Sequence, residues 1–137
     1  LIGEVIDCGF KLHSNLGPGL LESAYEVLLE ALLIERGYSV ERQKSISLNF
    51  GNILVHDVYR VDMLVEGQLI LELKSVEQLA PVHSKQLLTY LRVTALPIGL
   101  ILNFGSALFK DGVRRIINNR SDYVAAIENA PWHRSRS

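Results

Sequence analysis

The stretch from Tyr59 to Lys74 constrains the fold most, because apolar residues alternate with other residues on both sides of Glu66-Gly67. That period of two is typical of strands, and the Glu-Gly pair is typical of a tight turn, so the segment predicts a β-hairpin. Three charged side chains interrupt it, at Asp62, Glu72 and Lys74. Charges are rarely buried unless they are paired or bind a metal, so these three are candidate site residues.

The length of the turn decides whether the three charges share a face. Glu72 and Lys74 are two residues apart and therefore point to the same side of one strand. A two-residue turn would pair Asp62 with Leu71 and turn it away, whereas a three-residue loop closed by a Gly bulge would place Asp62 opposite Glu72. Gly67 permits the longer loop. Two converging carboxylates suit a hard divalent cation, and a lysine beside them can stabilise the charge that develops on attack.

A structural alternative exists for the same residues. Glu72 and Lys74 could form an exposed ion pair on an edge strand, with Asp62 at a strand end. The apolar neighbours of Glu72 argue against this, since they indicate a strand covered on both faces, where unpaired charge is expensive.

The order of elements along the chain predicts an α/β fold with a mixed central sheet flanked by helices. Helical periodicity covers residues 2–16, with Phe10 on the apolar face, and about 20–36, where the helix is apolar nearly all round and is expected to be buried. Gly17-Pro18-Gly19 separates the two helices, and Gly37 ends the second. Strands are predicted over 40–50, 53–65, 68–76 and 98–103, a helix capped by Ser84 over 84–94, and a last hairpin or edge strand within 109–118.

We expect one domain over residues 1–120, then a C-terminal extension over 121–137 with a short helix and a frayed tail.

Composition limits the function classes. The net charge of −1 gives no general attraction to nucleic acid, although Lys110, Arg114 and Arg115 could form a local phosphate-binding surface or a solvated strand face. The single Cys8 excludes an internal disulfide and suits a reducing cytoplasm. Apolar stretches are too short to span a bilayer, so no membrane partner is expected.

Two pairs on the helices are further candidates. Glu22 and Tyr25 lie one turn apart at the start of the second helix, and Gln86 and Tyr90 lie one turn apart before the fourth strand. Each pair has a structural alternative: a carboxylate in a first turn is favoured by the helix dipole, and Gln86 with Tyr90 could be the polar edge of an amphipathic helix.

The ordered set of motifs resembles the GxxExxY family, which belongs to the PD-(D/E)XK nuclease-like superfamily. The motifs are Gly19-x-x-Glu22-x-x-Tyr25, Asp62, Glu72-Leu73-Lys74 and Gln86-x-x-x-Tyr90, and the likeness covers about residues 1–118. The superfamily has a restriction-endonuclease-like αβββαβ core, which matches the order predicted from periodicity. Val61 stands where the superfamily's name has Pro.

The resemblance implies a Mg²⁺ or Mn²⁺ site formed by Asp62, Glu72, the backbone carbonyl of Leu73, and Glu22 from the helix. Lys74 would position the attacking water and neutralise the transition state, while Tyr25, Gln86 and Tyr90 would support the lysine or the substrate. The implied function is a metal-dependent nuclease acting on DNA in preference to RNA. A homodimer would suit a nuclease that cuts both strands, and a partner subunit would explain the missing basic surface. The alternative is a catalytically inactive nucleic-acid- or protein-binding module of the same fold.

Overall fold

The structure is a computed structural model and describes residues 1–119. Its elements in chain order are α1 (Ile2–Leu16), α2 (Glu22–Glu35), β1 (Val40–Phe50), β2 (Ile53–Val65), β3 (Leu69–Lys74), α3 (Pro81–Thr94), β4 (Ile98–Asn103), a short 3₁₀ helix (Phe109–Gly112) and β5 (Val113–Ile117). The predicted order of helices and strands is confirmed, with β5 as the last strand. The predicted extension over 121–137 lies outside the described residues, so the domain boundary stays a prediction.

One five-stranded sheet in the order β1-β2-β3-β4-β5 organises the domain. The first three strands form an antiparallel meander, β4 runs parallel to β3 after the α3 crossover, and β5 returns antiparallel to β4. Because a parallel connection needs a crossover, α3 must pass over one face of the sheet. The other face is covered by α1 and α2, which gives the predicted mixed sheet flanked by helices.

The core therefore has two layers. Under α1 and α2, Tyr25, Leu29 and Leu33 pack in one cluster with Met63 of β2 and with Phe104, which follows β4. On the opposite face α3 contributes Leu87 and Leu91, which pack against Ile70 and Ile101. A fully buried leucine contributes about 1.5–3 kcal/mol, so these two layers hold the central strands β2, β3 and β4 rigidly in place.

Two predictions about the helices are wrong. Helix α2 is not buried all round: Tyr25 and Leu29 are covered, whereas Val27 is 48% exposed and Ile34 54% exposed, because the sheet and α1 cover only one side of it. Phe10, expected on the buried face of α1, is also exposed.

The start of α3 also differs from the prediction. It begins at Pro81 and not after Ser84, since the fixed φ of proline and its missing N–H suit a first helical turn. His83 accepts a hydrogen bond at Nδ1 from the Ala80 N–H at 3.2 Å and so caps this end. Within residues 1–119, none of the helices has the length and hydropathy needed to cross a bilayer.

Candidate active site

The loop between β2 and β3 has three residues, and it sets the position of Asp62. Val65 pairs with Leu69 and Met63 with Leu71, which leaves residues 66–68 as the loop. Glu66 and Gly67 have φ angles of 54° and 64°, as expected for a loop closed with left-handed residues. Extending this register by one residue places Asp62 opposite Glu72. Of the two loop lengths compatible with the sequence, the structure has the longer one.

At Asp62, hydrogen bonds between side chains and the backbone replace the backbone–backbone hydrogen bonds of the β2–β3 ladder. The Leu73 N–H donates to Asp62 Oδ2 at 2.8 Å, and the Asp62 N–H donates to Glu72 Oε1 at 3.3 Å. The N–H and C=O of one residue in an extended strand point to the same side, so the Leu73 carbonyl also faces the Asp62 strand. Two carboxylates and one carbonyl thus meet where β2 and β3 separate.

Asp62 and Glu72 are two carboxyl groups held close together and partly shielded from water. Burial raises the pKa of Glu72 to about 8, and the charge of Asp62 adds to the rise. Burial also raises the pKa of Asp62, against the opposing effect of the Leu73 N–H bond. The Lys74 charge acts to lower both pKa values. Around neutral pH the pair therefore retains a proton, which a divalent cation could replace.

The donor set fits Mg²⁺ or Mn²⁺. These ions prefer oxygen ligands, and Mg²⁺ commonly takes one or two carboxylates and keeps several waters. Among residues 1–119 no group of three or more His, Cys, Asp or Glu side chains is arranged to hold a metal. The protein ligands that the geometry supports are therefore Asp62, Glu72 and the Leu73 carbonyl.

Glu22 lies beside this pair and not within it. Its Oε1 accepts the Ser75 N–H at 3.1 Å, and the Ser75 hydroxyl donates to the Leu20 carbonyl at 3.0 Å. These bonds tie the start of α2 to the end of β3, next to Lys74. Metal binding by Glu22 stays a prediction.

Tyr25 organises the turn that precedes α2. It is fully buried, its ring stacks on Phe104 with centroids 4.2 Å apart, and its hydroxyl donates to the Gly17 carbonyl. The same oxygen accepts the Leu20 N–H at 3.2 Å. Tyr25 thus holds the turn that presents Glu22, which is a supporting role through the backbone.

The α3 pair contributes one neighbour of the carboxylates. Burial raises the pKa of Tyr90, and the nearby charge of Glu72 raises it further. Its ring packs against Tyr59 with centroids 4.7 Å apart. Gln86, one turn earlier, is exposed. Sequence reasoning did not select Tyr59 as a site residue, although the spacing Tyr59-x-x-Asp62 was visible.

A second carboxylate cluster adjoins the site: the helix face shared by Glu22, Tyr25 and Glu26 is visible in the sequence, but the partners of Glu26 are not. Glu26 is only 5% exposed. Its Oε1 accepts a hydrogen bond from Arg42 Nε at 3.1 Å, and the Gln43 amide donates to both of its oxygens at 2.9 and 3.1 Å. Arg42 also reaches Glu30 at 3.7 Å. The one available signal was a carboxylate on an apolar helix face, at i+4 from Glu22.

The predicted basic surface is divided in the structure. Arg114 and Arg115 are successive residues of β5, so they point to opposite faces of the sheet. Arg114 lines a cavity of about 450 Å³ beside the ends of β3 and β4, whereas Arg115 lines another cavity near Leu1. Lys110 is exposed on the 3₁₀ helix. A single phosphate cannot contact all three.

The fold and the site define a class of protein. A mixed sheet with helices on both faces, in the order αβββαβ after an extra first helix, is a restriction-endonuclease-like fold. Residues 1–116 match the family described as the PD-(D/E)XK nuclease superfamily, and the chain belongs to that superfamily. The crystal structure of SSO0001 is similar in fold: at 15% sequence identity it aligns with 93% of this chain and 72% of its own, with a TM-score of 0.52. No curated protein sequence matches the chain significantly.

Proposed function

We propose that this domain is a metal-dependent nuclease of the GxxExxY type that hydrolyses phosphodiester bonds in DNA in preference to RNA. One observation carries the proposal: Asp62, Glu72 and the Leu73 backbone converge where β2 and β3 separate, with a 2.8 Å hydrogen bond from the Leu73 N–H to Asp62 and with Lys74 beside them. Membership of the nuclease superfamily supports this class of reaction.

Asp62, Glu72 and the carbonyl of Leu73 would hold Mg²⁺ or Mn²⁺, with Glu22 contributing from α2. When bound, the ion would supply Lewis-acid polarisation of a phosphoryl oxygen and a more acidic water. The chain itself fixes the ligands. The Leu73 N–H holds one oxygen of Asp62 and the Asp62 N–H holds one oxygen of Glu72, so the carboxylates keep one orientation before any ion arrives.

Lys74 has a different role, because its ammonium group is available to bind a ligand. It forms no ion pair within 4.0 Å with any other residue in the described range 1–119. A positive charge beside the site can bind the scissile phosphate and stabilise the negative charge that develops on it during attack. Tyr90, with Gln86 one turn before it, borders the same site and would contact the substrate or the lysine.

Substrate capture would depend on local contacts, because the chain carries a net charge of only −1. Arg114, on the edge strand β5, could contact a phosphate beside the scissile one, and Lys110 and Arg115 could contact more distant phosphates. A homodimer or a partner subunit would extend this surface. Buried Cys8 is a free thiol, consistent with a cytoplasmic protein.

The test compares cleavage of labelled single- and double-stranded DNA and RNA with Mg²⁺ or Mn²⁺. We expect Asp62→Asn and Lys74→Ala each to reduce cleavage by about 10²–10³-fold, while circular dichroism shows an intact fold. Asp57→Asn on the exposed part of β2 and Lys85→Ala on α3 are matched controls and should cleave normally. Equal activity in all four variants would refute the site. Absence of calorimetric Mn²⁺ binding up to millimolar concentration would favour the inactive binding module.

A further inference from the structure

Strand β1 departs from regular geometry directly opposite Asp62. The ladder pairs Arg42 with Met63 and Lys44 with Val61, so Gln43 lies opposite Asp62. Gln43 has a φ of 51°, a left-handed conformation that side chains other than glycine adopt only at a cost in energy.

Strand β2 changes face at the same position. Val61 packs in the cluster under α3, whereas Met63 packs in the cluster under α1 and α2. Residues two apart in a regular strand share a face, so the alternation of β2 is broken between them, at Asp62. The break takes Asp62 out of the regular ladder and into the gap where its carboxylate meets the Leu73 N–H.

The left-handed residue is held in place from α2. The Gln43 side-chain amide donates to both oxygens of Glu26, at 2.9 and 3.1 Å. Glu26 is itself buried and fixed by Arg42 at 3.1 Å. An unfavourable backbone conformation persists only where its surroundings determine it, and here the surroundings are a buried, ion-paired carboxylate.

We propose that Glu26 and Gln43 are positioning residues: their hydrogen bonds hold the left-handed turn in β1 and thereby aim the Asp62 carboxylate into the ion site. An extended residue at position 43 would restore the regular ladder. With Val61 still under α3, Asp62 would then point towards α1 and α2, away from Glu72. The consequence for metal binding rests on the function proposed above. The position of Asp62 against Leu73 does not depend on that function.

The test replaces Gln43 with glycine, which adopts the left-handed conformation without strain and has no amide to bind Glu26. We expect Mn²⁺ affinity, measured by calorimetry, to fall about tenfold, as is typical when a residue that orients a ligand is removed. The amide resonance of Leu73 should shift and its hydrogen exchange should accelerate, because this N–H reports on the Asp62 carboxylate. The thermal unfolding midpoint should change little, since relief of strain offsets the lost hydrogen bonds.

Two further variants make the result decisive. Gln43→Asn tolerates the left-handed conformation but its side chain is too short for Glu26, so it should show the same losses. Asp57→Gly is the matched control: Asp57 is also left-handed, with a φ of 54°, but lies on the exposed part of β2. This variant should change neither the Leu73 resonance nor the Mn²⁺ affinity. Unchanged Leu73 resonance and Mn²⁺ affinity in both Gln43 variants, or equal changes in Asp57→Gly, would overturn the inference. If the wild type binds no Mn²⁺, the proposed function fails and the Leu73 resonance alone decides the positioning role.

Discussion

Two carboxylate clusters lie close together in this domain, and they differ in whether a cationic side chain is bonded to them. Glu26 and Glu30 share Arg42, and Glu26 also accepts two hydrogen bonds from Gln43. Asp62 and Glu72 accept backbone N–H bonds and have no ion-pair partner among residues 1–119, although the nearby charge of Lys74 opposes their repulsion.

The difference separates charge that holds the fold from charge kept for a ligand. A buried carboxylate with a fixed cationic partner is already neutralised, and removing the partner exposes the full cost of its burial. A carboxylate pair without such a partner responds by binding a proton, which is why burial and mutual repulsion raise the pKa of Glu72 to about 8. The second arrangement is unstable by itself and suited to a divalent cation.

The largest effect should come from the structural cluster. Arg42→Met removes the cation but keeps much of the side-chain volume, and we expect the free energy of unfolding to fall by about 3 kcal/mol, because Glu26 is left buried without its partner. Urea denaturation at pH 7 measures the change. Lys44→Met is the matched control: its 3.0 Å pair with Glu41 is exposed, so the loss should stay below about 0.5 kcal/mol. Equal losses in the two variants would contradict the distinction.

Glu72→Gln should have the opposite sign. The amide keeps an oxygen for the Asp62 N–H but removes one of two repelling charges, so the metal-free protein should gain about 1–2 kcal/mol at pH 8, where solvent screens part of the repulsion at this half-buried site. The same variant should lose cleavage activity, which would be a trade of stability for function. Glu41→Gln on the exposed pair provides the baseline. A stability loss in Glu72→Gln would mean that the pair holds the fold after all.

The dependence of stability on pH sharpens the contrast further. Between pH 4.5, the ordinary pKa of a glutamate, and about 8, folded Glu72 keeps a proton that the unfolded chain has released. The folded state therefore binds more protons, and the metal-free protein should lose stability as pH rises through this window. Chemical denaturation at several pH values in the presence of a chelator measures the slope. In Glu72→Gln the decline should be much smaller, and an equally steep decline there would assign the proton to another group.

The sequence predicted the β2–β3 hairpin well because local rules determine it. Alternation placed Glu72 and Lys74 on one face, and Gly67 allowed the three-residue loop that brings Asp62 to the same place. The order of elements also followed from periodicity. Hydropathy overestimated the burial of α2, since apolar content does not state how many layers surround a helix.

The Glu26 cluster could not be predicted in the same way. Its partners, Arg42 and Gln43, are 16 and 17 residues away, on a strand whose left-handed residue is not a glycine. No local sequence pattern predicts a left-handed glutamine, because tertiary hydrogen bonds impose the conformation and the residue itself does not favour it. The same limit applies to the divided basic residues of β5, whose opposite faces follow only once the strand is known.

The smallest effect is stabilisation of the folded protein by the ion itself. At a Mn²⁺ concentration equal to the dissociation constant, the free energy of unfolding should rise by only about 0.4 kcal/mol. The gain should increase from pH 6 to pH 8, because the ion displaces the proton that the Asp62–Glu72 pair retains. Thermal unfolding with and without Mn²⁺ measures it, and Asp62→Asn should abolish it while Glu30→Gln, in the ion-paired cluster, should retain it. If Mn²⁺ still stabilises Asp62→Asn, the ion binds elsewhere and the Asp62–Glu72 pair is not its site.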